Sequence, residues 1–311
     1  MNMSAIEPSI GKYEIVDIND HITRLLRDLD NPEPPLKLED VRELQKLDLT
    51  YYSKSDLNLL DEIAHRAKMA GSTLISTASR MIDVVDRFNL RGLLMLKENE
   101  KKIFIDDQVA QLKRRFIISH EIIHDLLPWH RSLLLGDNES TLSPTCHQTM
   151  EAEANYGGRR LIFLGERFKK EARDVPFSWA HIQSLNKRYG NTLTTTLWQM
   201  VCERSPEHPV FAIISRHPYH PDIGDFEPGE NVSHMIRSNG FQTRFANITP
   251  PQAYQALQSY ISARKKGPVG EGVFTFQDIN GERCDFEMSS FCNGYTILTY
   301  GVFRSVHKLI F

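Results

Sequence analysis

Arg114-Arg115-Phe116-Ile117-Ile118-Ser119-His120-Glu121-Ile122-Ile123-His124 is the stretch around which the rest of the chain can be read. Residues four apart on an α-helix project from one face, so His120 and His124 can reach one metal ion while Glu121 stays close to a water held there. Apolar residues at Phe116, Ile117, Ile118, Ile122, Ile123, Leu126 and Leu127 cover most of the helix circumference, the pattern of a buried helix. Two imidazoles and a carboxylate inside such a helix need partners, and a metal ion supplies them at less cost than leaving them bare. The spacing is that of a zinc hydrolase.

A catalytic zinc takes three protein ligands and keeps one position open. His130 stands six residues beyond His124, the metzincin spacing, but that pattern needs a glycine where Leu127 stands, followed here by Pro128. His130 therefore reads as a surface histidine past the helix end. His147 falls in a polar stretch, His130 to Gln148, which reads as irregular. Glu151, near the start of a second helix from Met150, is a hard oxygen donor that completes a two-His-one-Glu set, with Asn155 one turn on to hold a ligating imidazole. Glu153 lies two residues round that helix and reads as solvated, with a role as ligand only if the register is misread.

Working outward, Asn31-Pro32-Glu33-Pro34-Pro35 reads as a linker after a peripheral N-terminal arm of residues 1–36. Helical spacing recurs over 57–70 and 81–88. Gly92–Leu96 and Lys102–Asp106 flank a polar turn as a hairpin, and the second of these strands is a candidate edge for an extended peptide. Residues 37–165 form the metal-binding domain. Residues 166–204 hold helices at Trp179–Tyr189 and Leu193–Val201 around Gly190-Asn191, a helix-turn-helix pattern. Residues 205–311 carry apolar runs at 210–214, 273–276 and 295–300 and a helix at 251–264, an α+β texture. The fold class is α+β.

Hydrophobic content of 41% with 25% charged residues is ordinary for a globular protein, and a net charge of -3 gives no global basic field for nucleic acid. No leader and no run of about twenty apolar residues stands out, so a soluble cytoplasmic protein is expected. Cys146, Cys202, Cys284 and Cys292 are scattered, which favours reduced thiols. Arg216-His217-Pro218-Tyr219-His220-Pro221 reads as a loop, since its prolines forbid a regular helix.

The helix Arg114–His124 together with Glu151-Ala-Glu-Ala-Asn-Tyr-Gly-Gly-Arg-Arg-Leu161 resembles the ImmA/IrrE family of metallopeptidases over roughly residues 57–204. The resemblance implies a zincin-like peptidase domain in which His120, His124 and Glu151 hold Zn2+ and Glu121 is the catalytic base. It also implies a cytoplasmic endopeptidase whose protein partner is a helix-turn-helix transcriptional repressor of a phage, mobile element or stress response. Some members carry a GAF-like sensor domain, with which the texture after Pro206 is compatible. Gly157-Gly158 and Ile162-Phe163-Leu164 depart from the family pattern; at about 1 kcal/mol per glycine, a local break of the second helix is expected. Tyr156, His147 and Arg159 are chemically able to stabilise an oxyanion. A different class of function, direct DNA or ligand binding by the helix-turn-helix or C-terminal segment, rests on Lys169, Lys170, Arg173, Lys187 and Arg188, although Glu171 and Asp174 dilute that charge.

Overall fold

The computed structural model describes residues 10–53, 92–97, 100–135, 144–173, 175–220, 228–294 and 296–307. The helices expected at 57–70 and 81–88 lie outside them. The fold is α+β, divided into two compact units: one of Glu7–Gly165 with Tyr189–Asn191, the other of Glu166–Arg188 with Thr192–Phe311.

The first unit begins with α1 (Lys12–Asp28) and α2 (Leu38–Gln45), then β1 (Asp48–Tyr52), β2 (Gly92–Lys97) and β3 (Glu100–Asp106). The N-terminal segment is not the peripheral arm its sequence suggests: α1 buries Ile18, Ile22, Leu25 and Leu26. Its Asn19 side chain accepts from Arg160 Nε at 2.9 Å and bonds the Tyr156 hydroxyl, tying α1 to a helix nearly 140 residues away. The sheet order is β1-β3-β2, with β1 parallel and β2 antiparallel to β3. The expected hairpin is present, but Lys102–Asp106 is its central strand and not an edge. The local sequence could not show this, because the covering strand comes from residues 48–52.

Helix α3 (Gln111–Leu126) carries the metal motif and buries Ile118, Ile122 and Ile123, as the apolar pattern requires. It ends where Leu127 turns extended ahead of Pro128, a residue that excludes helical backbone before it and suits the first turn after it. So α4 (Pro128–Leu135) starts at once, and α5 runs over Pro144–Ile162. The stretch 130–148 is therefore helical at both ends, and His147 stands on a helix. Lys101 and Arg131 both pair with fully buried Asp125, at 3.0 and 3.1 Å, which fastens β3 and α4 to the end of α3.

The glycine pair does not break α5. A Cβ on Gly157 would stand 2.9 Å from Ile123 Cγ2, and one on Gly158 3.2 Å from the backbone nitrogen of His120. The missing side chains let α5 lie directly on α3, and the contact offsets the helix propensity lost.

In the second unit α6 (Glu166–Arg173), α7 (Trp179–Tyr189, its last residue in the first unit) and α8 (Leu193–Cys202) precede β4 (Val210–Ser215), β5 (Val232–Arg237), α9 (Asn239–Arg244), α10 (Pro250–Gln258), β6 (Gly267–Gln277), β7 (Arg283–Cys292) and β8 (Ile297–Val306). The sheet is antiparallel, in the order β5-β4-β8-β7-β6. On one face Phe211, Phe241, Phe245 and Phe286 form the core with α9 and α10. From the other, Trp179 stacks on Phe291 and Tyr300, and α8 packs against β4 and β5. With both faces covered, β4 is buried along its whole length, which is why it reads as an unbroken apolar run. Gly190 at φ +65° makes the turn of the expected helix pair, and the Thr192 side chain caps α8 by accepting from the Thr195 N–H. From Leu193 to Val201 the residues of α8 are buried or half-buried. Residues 216–220 form the expected loop. Among the described residues no helix is long and apolar enough to cross a membrane.

Candidate metal centre

The crossing of α3 on α5 brings His120, His124 and Glu151 together, their ligand atoms all within 4.8 Å of one another. His120 Nε2 and His124 Nε2 are 3.1 Å apart. Glu151 places one carboxylate oxygen 3.2 Å from His120 Nε2 and the other 3.5 Å from His124 Nε2. Donors bonded to zinc at about 2.0–2.2 Å with tetrahedral angles stand roughly 3.3–3.5 Å apart, so the set has the dimensions of a zinc site. On the far side of His120, Nδ1 meets Asn155 Oδ1 at 3.1 Å. An amide oxygen only accepts, so His120 carries a proton on Nδ1, which leaves Nε2 as the nitrogen available to a metal ion. Two imidazole nitrogens and a carboxylate converge, and a cation satisfies them. The residues fit the ion.

Electrostatics follow from burial and this crowding. For Glu151, burial opposes charge, but hydrogen bonds to His120 and His124 outweigh it and hold the carboxyl below its ordinary range. Burial pushes the His124 pKa down to about 4. For His120, burial again opposes charge, yet the hydrogen bond to Glu151 and the nearby carboxylates raise its pKa. Glu121 is 7% exposed, and its pKa is raised to about 7, first by burial and then by the Glu151 charge; the His120 charge and the backbone N–H of Leu94 act against this. A Cβ on Gly92 would stand 2.8 Å from Glu121 Oε1, so strand β2 runs past the glutamate.

Two residues occupy places other than those their sequence suggested. His130 is fully buried, not a surface histidine. Its Nδ1 is 3.0 Å from His124 Nδ1, so it lies behind His124 and outside the cluster of three. Glu153 is 4% exposed, not solvated: its Oε2 is 2.8 Å from His130 Nε2 and accepts from Trp129 Nε1 at 2.7 Å. Burial disfavours its charge, but these hydrogen bonds prevail and lower its pKa. The signal that could have found the pair is the Leu127-Pro128 break, after which α4 starts at once and His130 meets His124. Of the residues able to hold an oxyanion, Tyr156 is engaged by Asn19 and Arg159 is buried.

No family model matches the chain, and no curated protein matches it. Among solved structures, a Mycobacterium tuberculosis transcriptional regulator is similar over 95% of this chain and 93% of its own, at 10% identity and a TM-score of 0.48. A likeness of that size carries no argument about function.

Proposed function

We propose that the protein is a zinc-dependent endopeptidase acting on another protein. The observation that carries this reading is the convergence of His120 Nε2, His124 Nε2 and the Glu151 carboxylate at metal-ligand separations. His120, His124 and Glu151 would hold the ion, and zinc bound there supplies Lewis acidity for hydrolysis. Glu121, next in the chain to a ligand and screened from bulk water, takes the proton from the attacking water and returns it to the leaving amine. Strand β2 borders Glu121 and, among the described residues, pairs on one side only. Its outer edge, in place of the β3 edge expected from sequence, is where an extended peptide would add as a further strand.

The resemblance to ImmA/IrrE peptidases makes a helix-turn-helix repressor in the cytoplasm the substrate of choice. The direct DNA-binding reading needs a recognition helix with side chains free for base edges, and between Leu193 and Val201 the residues of α8 are buried or half-buried. Two of the basic residues behind that reading are also engaged locally: Lys169 with Glu166 at 3.1 Å, and Arg188 with Glu171 at 3.2 Å.

The test measures zinc content by atomic emission and new amino termini released in an amine-labelled soluble proteome. Glu121→Gln is expected to retain zinc and to lose turnover by roughly 10²–10⁴-fold. Glu151→Ala is expected to lose both. Unchanged cleavage by Glu121→Gln would sink the mechanism, and full zinc in Glu151→Ala would sink the ligand set.

A further inference from the structure

We infer that Glu153 and His130 are positioning residues that fix the proton of His124 on Nδ1 and so aim its Nε2 lone pair at the metal. The inference rests on the metal-centre reading above and adds two residues to it. Three contacts in series carry it: Glu153 Oε2 to His130 Nε2 at 2.8 Å, His130 Nδ1 to His124 Nδ1 at 3.0 Å, and His124 Nε2 to Glu151 Oε1 at 3.5 Å.

Each contact determines the next. A carboxylate has no proton to give, so the His130 nitrogen facing Glu153 carries the N–H. With its ring proton placed there, His130 presents a lone pair at Nδ1. Two lone pairs at 3.0 Å repel, so the facing nitrogen of His124 must be the donor. With its proton on Nδ1, His124 leaves Nε2 as an acceptor, 3.1 Å from His120 Nε2. The two ligands are set by separate devices: an amide oxygen behind His120, and a carboxylate acting through a second imidazole behind His124.

Packing keeps the chain of contacts in place. His130 is fully buried and Glu153 nearly so, and Trp129 donates to the same Glu153 oxygen at 2.7 Å, fixing the carboxylate from a second side. His21 on α1 meets the Trp129 ring in a T-shaped contact, with centroids 5.8 Å apart. Partners of this kind orient an imidazole and raise its basicity, and their removal costs about 10–100-fold in metal affinity.

The experiment has a readout that a merely structural role would not move. Long-range proton–nitrogen NMR on metal-free protein, about two units above the ordinary histidine pKa, is expected to show His124 protonated on Nδ1 and His130 on Nε2. Zinc affinity is measured alongside by chelator competition. Glu153→Ala, which removes the acceptor, is expected to mix the His124 tautomers and weaken zinc by about 10–100-fold. Glu153→Gln keeps an oxygen able to accept both hydrogen bonds, and should restore the tautomer and most of the affinity. His124 protonated on Nε2 in the wild type overturns the inference, even if Glu153→Ala fails to fold. So does a Glu153→Ala protein with the wild-type tautomer and affinity. A wild type that takes up no zinc refutes the metal reading instead, while its His124 tautomer still decides this one.

Discussion

His120, His124 and Glu151 in the first unit, and Asp278, Glu282 and Cys284 in the second, are each three side chains of kinds that hold metals, with their ligand atoms within 4.8 Å of one another. They differ in what else touches them. In the second group Arg244 fills the centre: its Nε is 3.1 Å from Asp278 Oδ2, and its Nη2 is 2.7 Å from Glu282 Oε2 and 3.3 Å from Cys284 Sγ. The guanidinium is held there by stacking over Phe245 and Phe303. The protein supplies its own cation, and the charge is satisfied. In the first group the basic side chains are histidines whose outer nitrogens are already committed to Asn155 and His130. The difference teaches that composition alone does not define a metal site. What counts is whether acceptors are left over once the protein's donors have been assigned.

The largest effect expected from this comparison is in stoichiometry. Wild-type protein should bind one equivalent of zinc, His124→Ala none, and Cys284→Ser one with unchanged affinity. Measured by atomic emission after dialysis, a second equivalent in the wild type that disappears with Cys284→Ser would break the distinction.

A smaller effect separates the two units by packing. Each has a glycine whose missing side chain admits a neighbour: Gly157 faces Ile123 across the helix crossing, and Gly301 lies under Phe211, where a Cβ would come within 3 Å of ring carbons. Gly157→Leu and Gly301→Val should each destabilise by about 1–3 kcal/mol through overpacking. Only Gly157→Leu should also weaken zinc, because it pushes the helix of Glu151 away from the helix of His120 and His124. Thermal melts with chelator competition check both, and wild-type zinc affinity in Gly157→Leu would remove the glycines from the account of the site.

These contacts show why the sequence was legible in some places and not in others. His120, His124, Glu151 and Asn155 could be read because each pair sits one turn apart on one helix, a relation fixed by local geometry. The strand at 210–214 could be read from an unbroken apolar run, and those that contain 273–276 and 297–300 from the runs 273–276 and 295–300, which only threonines interrupt. Strands β5 and β7 could not, since polar residues such as Ser233, His234, Asp285 and Glu287 interrupt them and only their sheet partners make them strands. His130 and Glu153 look solvated in a string of letters because their burial depends on the α3–α5 crossing and on the turn at Leu127-Pro128. Lys102–Asp106 looks like an edge until β1 pairs with it.

The smallest expected effect concerns acid and sharpens the role of Arg244. For Asp278, partial desolvation opposes charge, but the backbone N–H of Glu282, the Arg244 guanidinium and the N–H of Asn280 together hold its carboxyl below the ordinary 3.8. A carboxyl depressed in the folded state adds stability that is present above its unfolded pKa and is lost as pH falls through the folded value. Wild type therefore loses this contribution below about pH 4. Arg244→Gln, which keeps the backbone donors but not the cation, has less of it to lose. The stability gap between the two proteins should be widest near neutrality and should narrow once pH drops below about 4. Asp285 is a reference common to both, held down by Thr275 and His307, which the substitution does not touch. Hydrogen exchange at the amides of β7 reads this unit directly. A gap that stays constant from neutral to acid pH would mean that Arg244 does not act on Asp278 through charge, and the contrast between the two clusters would lose its electrostatic basis.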